Sequence, residues 1–188
     1  MNQAYRLSNV TKDYLAQFDC ILEEMILEMT HAQLSDSISH NFIVQMIPHH
    51  RAAIKMSQNL LQYTTFIPLQ DIAMQIISEQ TRSIQNMEKI LSCCSSLTNP
   101  DCEVAQYQCC VNRIMDKMFS GMKNARTTNQ LNANFMREMI PHHRGAVEMS
   151  ENALCHNICP ELKPILHAII TSQEEGIKKM QRLLKCMR

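Results

Sequence analysis

A sixteen-residue phrase occurs twice in this chain, and it constrains the fold more than any other feature. Residues 42–57 read FIVQMIPHHRAAIKMS, and residues 135–150, 93 positions later, read FMREMIPHHRGAVEMS. Ten of the sixteen positions are identical, including both histidines, the proline, the arginine and two methionines. A purely structural repeat keeps its apolar spacing and lets its polar residues drift. The shared polar residues therefore indicate a duplicated functional site.

The same offset of 93 holds outside the phrase, without a gap. Downstream, Gln80 corresponds to Gln173 within a matching pattern of isoleucine, methionine and leucine. Fixed-period similarity of this kind marks a duplicated supersecondary unit. We therefore divide the chain into two repeats, residues 1–97 and 98–188, which together are predicted to form one compact helical domain.

Apolar residues recur at helical spacing within each repeat and predict three helices there. In the first helix, Leu15, Phe18, Met25 and Met29 follow steps of three and four residues. The composition, with 15 Met, 3 Gly and no Trp, disfavours strands and tight hairpins. We predict an all-α fold in which two three-helix repeats are related by a pseudo-twofold axis. The two His-His helices and the two glutamine-bearing helices would form a four-helix core.

Residues that favour helix starts mark the second helix of each repeat. Ser35 and Asp36 precede it in the first repeat, and Thr128 and Asn129 precede it in the second. Side chains of these types accept hydrogen bonds from the free amides of a helix N-terminus. We therefore expect the second helices to begin directly after these two pairs.

The third helix of each repeat is predicted over residues 66–91 and 161–184, from the continuing helical period. Residues 92–101, SCCSSLTNPD, form the one segment rich in turn-forming residues. We take this segment as the linker between the repeats.

Charge and hydropathy exclude two classes of partner. Lys plus Arg and Asp plus Glu number 18 each, so there is no charge argument for nucleic acid or for an anionic membrane. No stretch is apolar for the length that a membrane span needs, and Met1–Tyr14 lacks the apolar region of a signal peptide. We expect a cytoplasmic protein with no nucleic-acid or membrane partner. The sequence leaves a homo-oligomer open.

The chain has nine cysteines. Their number is odd, and the adjacent pairs Cys93-Cys94 and Cys109-Cys110 are poorly placed to bridge to each other, so we do not expect a complete disulfide framework. Reduced thiols in a cytosol fit this pattern better. Cys93 has a counterpart at offset 93, Cys186, and could assist in metal binding.

The repeated phrase places imidazoles and thioethers on one broad helix face. Met46 precedes His49 by three residues and His50 by four, while Met56 follows His49 by seven. Pro48 removes a backbone donor within this helix and is expected to kink it immediately before the histidines. A destabilising proline that is repeated beside a His-His pair is typical of a site whose side chains must point in a fixed direction.

This ligand chemistry favours copper. Thioether sulfur prefers Cu(I), and neutral imidazole accepts either oxidation state, so we expect Cu(I) rather than Cu(II). Zinc is less favoured because no C-x-x-C with H-x-x-x-H spacing is present. Iron in a helical bundle would use Glu-x-x-His motifs. Only Glu138, four residues before His142, approaches that pattern, and its counterpart is Gln45.

Two other interpretations remain open at this point. The histidines could form a structural cluster in a helical or protein-interaction module, or they could serve a metal-dependent redox enzyme. We do not expect an enzyme, because no nucleophile and base stand at motif spacing. Arg51 and Arg144 would bind a carboxylate, such as Glu79 or Glu174, or an exogenous anion.

The pattern Met-Ile-x-His-His-x-x-Ala-x-x-Met, followed by a helix with Gln-x-x-x-Ile-x-x-Met, resembles domain-of-unknown-function family 305. The resemblance covers nearly the whole chain as two tandem units. Some members of that family, the CopM-like proteins, bind copper. The resemblance implies a ferritin-like helical bundle. It also implies metal binding by Met46, His49, His50, Met56, Met139, His142, His143 and Met149, in one shared site or two separate ones.

The chain departs from the family pattern at one position in each repeat. The acidic residue that commonly precedes the isoleucine of the last helix is Ser83 in the first repeat and Gly176 in the second. A role for that carboxylate is therefore lost or moved. Copper-binding members are often exported, whereas we see no signal peptide in this sequence. We therefore do not expect a function in periplasmic copper resistance to transfer to this chain.

Overall fold

A computed structural model describes residues 6–187, and six α-helices account for most of them. The helices are α1 (Asn9–Thr30), α2 (Ile38–Leu61), α3 (Ile67–Cys94), α4 (Asp101–Lys123), α5 (Leu131–Leu154) and α6 (Leu162–Cys186). No strand occurs within residues 6–187. The all-α prediction is therefore confirmed. Residues 1–5 of the N-terminal segment and residue 188 lie outside the described part.

The packing of the helices follows the predicted arrangement. Helix α2 packs against α3 and α5, and α6 packs against α5 and α3, which closes a four-helix core. Helix α1 covers α2, and α4 covers α5. Each repeat thus contributes two core helices and one flanking helix. The predicted boundary between residues 97 and 98 falls in the connection between α3 and α4.

The second helices begin later than predicted. Ser37, rather than Asp36, caps α2, and its side chain accepts a hydrogen bond from the His40 amide. Gln130 precedes α5 and makes no side-chain cap bond. The predicted capping residue Ser35 is instead bonded at both its amide and its carbonyl to the side chain of Asn41.

Asn134 makes the same pair of bonds to Thr128, 93 residues later. The repeated residues before α2 and α5 therefore stabilise a loop, and the helix starts lie a residue or two beyond them.

The linker is shorter than predicted. Helix α3 continues to Cys94, so residues 92–94 are helical, and α4 begins at Asp101. Pro68 lies in the first turn of α3, where a missing amide hydrogen costs nothing. Pro48 lies inside α2, which remains helical through it.

An ion pair between the flanking and core helices is repeated with its charges exchanged. Lys55 of α2 binds Glu24 of α1, with a nitrogen-to-oxygen distance of 2.6 Å. At the matching positions, Glu148 of α5 binds Lys117 of α4, also at 2.6 Å. Because each repeat retains an opposite-charge pair although both residues changed type, the two repeats share the packing of the flanking helix.

Methionine fills much of the core: 12 of the 41 buried apolar residues within residues 6–187 are methionines, and Met25, Met29, Met46, Met56 and Met139 are among the most deeply buried. Its flexible side chain adapts to irregular gaps between helices.

None of the six helices in the described part of the chain is long and apolar enough to cross a membrane. The cytoplasmic location remains a prediction.

Candidate metal centre

Helices α2 and α5 bring the two His-His pairs together at the middle of the bundle. His49, His50, His142 and His143 are each no more than 2% exposed. The rings of His49 and His142 are stacked, with their centroids 3.7 Å apart. His50 and His143 flank this stack, with centroids 5.8 and 5.9 Å from the neighbouring ring of the same pair. The four imidazoles therefore form one contiguous cluster across the pseudo-twofold axis.

The two central histidines are held by reciprocal hydrogen bonds. Nε2 of His49 lies 3.2 Å from the carbonyl oxygen of His142, and Nε2 of His142 lies 3.1 Å from the carbonyl oxygen of His49. A carbonyl oxygen only accepts, so each Nε2 must carry the hydrogen and donate. The neutral ring then has its lone pair on Nδ1. Both central imidazoles therefore present Nδ1 as an acceptor or a ligand atom.

All four Nδ1 atoms are buried and have no hydrogen-bond partner within residues 6–187. A buried polar atom without a partner costs free energy, and natural proteins keep such atoms rare. Four such atoms in a single cluster call for an explanation. No three histidines of residues 6–187 offer ring nitrogens that lie within 4.8 Å of one another, so without side-chain movement a single metal ion would accept the lone pairs of at most two of these rings.

Burial also keeps the imidazoles uncharged. Desolvation lowers the pKa of His49 to about 4 and that of His143 to about 3. The pKa values of His50 and His142 are lowered as well, first by burial and then by the neighbouring imidazoles. At neutral pH all four rings are therefore in the neutral form that binds metals.

The outer histidines meet different residues in the two repeats. Nε2 of His50 lies 3.0 Å from the hydroxyl of Ser83 on α3. In the second repeat, Gly176 occupies the matching position on α6, and a Cβ built there would lie 2.9 and 3.0 Å from ring atoms of His143. The glycine thus makes room for the imidazole. Sequence comparison flagged these two positions only as departures from a family pattern and did not predict their contact with the histidines.

The four predicted methionine ligands are also in the core. Met46 and Met56 on α2, and Met139 and Met149 on α5, are each at most 1% exposed. Helical spacing keeps Met46 within one turn of the first histidine pair. The structure thus buries all eight predicted residues on the two helices that meet at the cluster. Their role in metal binding remains a prediction.

A cavity of about 380 Å³ between α3 and α6 leads to the cluster. His50 and Ser83 line it together with Gln80 and Gln173, the glutamines that mark the third helix of each repeat. The side-chain oxygens of both glutamines are buried and have no hydrogen-bond partner within residues 6–187. The cavity therefore connects the surface of the bundle with His50.

Arg51 meets a carboxylate, which is one of the two kinds of partner expected for it. Arg51 contacts Glu88, not Glu79, at 3.7 Å, and both side chains are about half exposed. Such an exposed pair contributes little to stability. In the second repeat, Glu174 contacts Lys178 at 3.5 Å, and Arg144 lies with Glu174 along a shallow surface groove.

The expectation of reduced thiols fails at one pair of cysteines. Cys94, at the end of α3, is joined by a disulfide bond to Cys159, in the connection between α5 and α6. The two cysteines are 65 positions apart in the sequence, so the spacing of neighbouring cysteines does not predict this disulfide bond. Within residues 6–187 the other seven cysteines are free. Cys93 and Cys186 lie at the ends of α3 and α6, away from the histidine positions in the middle of α2 and α5.

A family described as Domain of unknown function (DUF305) matches residues 18–91 and 39–184. The chain belongs to this family. The first match lies within the first repeat and the second spans parts of both, so the overlapping matches give the tandem arrangement weak support. No curated protein matches the chain.

Solved structures of DUF305 proteins share the fold. A DUF305 fragment from Deinococcus radiodurans is 23% identical, with a TM-score of 0.59, and the match covers 82% of this chain and 97% of the fragment. CopM in a Cu(II)-bound form is 27% identical, with a TM-score of 0.60, over 80% of this chain and 97% of CopM. An Ag-bound form of CopM, prepared by soaking, is 28% identical, with a TM-score of 0.59, over 78% and 94% of the two chains.

Proposed function

We propose that this DUF305 protein binds and buffers copper, as Cu(I), at the histidine cluster between α2 and α5. The observation that carries the proposal is the set of four buried Nδ1 atoms that lack partners. Reciprocal hydrogen bonds fix the lone pairs of His49 and His142 on these atoms. Orienting the second ring nitrogen in this way is how proteins commonly prepare a histidine for a metal.

The oxidation state follows from the ligand types. Thioethers prefer Cu(I), whereas Cu(II) prefers harder nitrogen and oxygen ligands in a tetragonal arrangement. The helices that carry the histidines also bury five methionines, four of which are the predicted ligands, and Glu138 is the carboxylate nearest in sequence to His142. CopM, which is similar in fold, has been obtained with both Cu(II) and Ag. Silver as Ag(I) shares the charge and softness of Cu(I), so the likeness to CopM supports copper binding, and the preference for Cu(I) rests on the thioethers.

Glu138 is occupied by a different interaction. Its carboxylate accepts a hydrogen bond of 2.7 Å from the hydroxyl of Tyr14 on α1. It is not paired with a second acidic motif of the kind that a di-iron bundle uses. The donor set therefore favours copper over iron.

The cluster makes the two repeats interdependent. Because His49 and His142 each bond to the other's backbone, the loss of one ring removes a hydrogen bond from the other. We expect His49→Ala with His50→Ala to abolish more than half of the bound Cu(I). Adding His142→Ala and His143→Ala should remove nearly all of it.

An anaerobic Cu(I) titration against a chromogenic competitor chelator measures these changes. Exposed thiols are first alkylated with the disulfide intact, so that cysteines do not contribute. His31→Ala with His167→Ala is the matched control, because both histidines are exposed and lie outside the cluster. A loss of half the copper in the first variant would indicate two independent sites. Full binding by the quadruple variant would show that the histidines are structural.

A further inference from the structure

Three cysteine sulfurs meet at one end of the bundle, where the repeats join. Cys93 and Cys94 form the last turn of α3, and Cys159 precedes α6. Their three Sγ atoms all lie within 4.8 Å of one another. Cys94 and Cys159 are buried and disulfide-bonded, while Cys93 is exposed. The cluster therefore combines a buried disulfide with a free thiol that solvent reaches.

Hydrogen bonds hold this arrangement independently of the disulfide. The hydroxyl of Ser37 donates to the carbonyl oxygen of Cys94 at 3.0 Å. The amide of Cys159 donates to the hydroxyl of Ser39 at 2.9 Å. Both serines are fully buried at the start of α2. The backbones that carry the two sulfurs are thus fixed to the same helix terminus and stay close together when the sulfur bond is broken.

One further contact suits the reduced state. The Cys159 sulfur lies 2.9 Å from a carboxylate oxygen of Glu161. A disulfide sulfur has no hydrogen to donate, so this contact becomes a hydrogen bond only when Cys159 is a thiol. The surroundings of the disulfide therefore accommodate the reduced form.

We propose that Cys93, Cys94 and Cys159 form a second copper site, which binds Cu(I) when the Cys94–Cys159 disulfide is reduced. In the reduction the S–S bond breaks, and a small dithiol supplies two electrons and two protons and is oxidised to its own disulfide. Cu(I) then binds the sulfurs and remains in the +1 state, while the displaced thiol protons pass to solvent. In the oxidised protein the site is closed, because two of its three sulfurs are bonded to each other.

The geometry suits a three-coordinate soft ion. Three sulfurs bound to one ion at about 2.3 Å lie about 4 Å apart. Reduction lets the sulfurs of Cys94 and Cys159 separate to this distance, and the Cys93 sulfur already lies within 4.8 Å of both. Thiolates bind both Cu(I) and zinc, and structural zinc sites use four ligands, so a set of three sulfurs favours Cu(I). Exposure of Cys93 provides the point of entry.

The second repeat does not reproduce this cluster. At offset 93, Cys93 corresponds to Cys186, but Met187 and Phe66 replace the two bonded cysteines. The opposite end of the bundle therefore has a single exposed cysteine, which serves as a natural control.

The cysteine site is separate from the histidine cluster and does not rest on the proposed function. Ser83, which contacts His50, and Cys94 are eleven positions apart on α3. This distance is about 16 Å along a helix. A copper ion at one site cannot share ligands with an ion at the other.

Anaerobic titration of the full chain with Cu(I), presented by a chromogenic chelator, tests the proposal. One sample retains the Cys94–Cys159 disulfide, and a second is reduced with a dithiol that is removed before titration. Thiol counting and peptide mapping verify both states. We expect the reduced protein to bind one more equivalent of Cu(I), together with an ultraviolet thiolate-to-copper charge-transfer band that thioethers and imidazoles do not give.

Variants separate this site from the others. Cys93→Ser changes an exposed side chain, so it leaves the fold intact, and it should weaken retention of the additional copper at least about tenfold. Cys186→Ser should leave it unchanged. The quadruple histidine variant should keep the additional equivalent, even if it loses the rest. Equal copper binding in the two redox states would overturn the proposal, as would an additional equivalent that is insensitive to Cys93→Ser.

Discussion

Glu138→Gln should change how the stability of this protein depends on pH. Glu138 is 3% exposed and lies against Tyr14, whose hydroxyl donates to it. Burial raises the pKa of Glu138 to about 7, and the nearby charge of Asp19 adds to this, while the Tyr14 hydrogen bond opposes it. The folded state therefore favours the protonated carboxyl group more than the unfolded state does.

The direction in which the stability changes with pH follows from this difference in pKa. Because the folded pKa is higher than the unfolded value of 4.5, the stabilising contribution is complete below pH 4.5 and is lost as the pH rises toward 7. The difference corresponds to about 3 kcal/mol of unfolding free energy at alkaline pH. Glutamine does not titrate, and its side-chain oxygen offers an acceptor to the Tyr14 hydroxyl. Gln45 occupies the matching position in the first repeat, where neither its side-chain oxygen nor the hydroxyl of Tyr107, the counterpart of Tyr14, has a hydrogen-bond partner within residues 6–187.

Urea denaturation of the metal-free protein at pH 5 and pH 8 measures the effect. We expect the stability of Glu138→Gln, relative to the native protein, to be about 2–3 kcal/mol more favourable at pH 8 than at pH 5. The buried histidines titrate in both proteins and cancel in this comparison. Glu151→Gln, exposed on the same helix, corrects for the lost charge. A stability difference that is the same at both pH values would refute the assignment of a raised pKa to Glu138.

Three other predictions concern the histidine cluster. Pro48→Ala should restore a helical hydrogen bond in α2 and raise thermal stability, yet weaken Cu(I) retention in the chelator titration; unchanged retention would mean that the proline is incidental. Gly176→Ala places a methyl group against His143 and should lower copper affinity about tenfold, whereas an unchanged affinity would show that His143 does not contribute. Nitrogen-15 NMR of the metal-free protein at neutral pH should show His49 and His142 with hydrogen on Nε2, and hydrogen on Nδ1 would contradict the tautomers assigned from their carbonyl contacts.

The helical period and the exact offset of 93 carried enough information to predict the fold. The core packing of α2, α3, α5 and α6 follows because each of these helices has an apolar face that a neighbour must cover. Helix ends were predicted less well. The side chain of Asn41, inside α2, forms hydrogen bonds with the backbone of Ser35 in the preceding loop. No local sequence pattern distinguishes a loop residue held in this way from a helix-capping residue.

The sequence singled out side chains that the structure buries on α2 and α5, but it did not predict their contacts. Duplication singled out the histidines, and the structure buries them together. That His49 stacks on His142 depends on how α2 and α5 cross, which one sequence does not specify. The Cys94–Cys159 bond was missed for the same reason, since it depends on where two chain segments 65 residues apart meet.

Anomalous diffraction from a crystal soaked with Ag(I) would test the central claim most directly. Silver needs no reductant, so the disulfide stays intact, and prior alkylation blocks the exposed thiols. We predict a silver peak in the core within bonding distance of Nδ1 of His49 or His142. Silver confined to the protein surface, with the histidine cluster empty, would contradict the account.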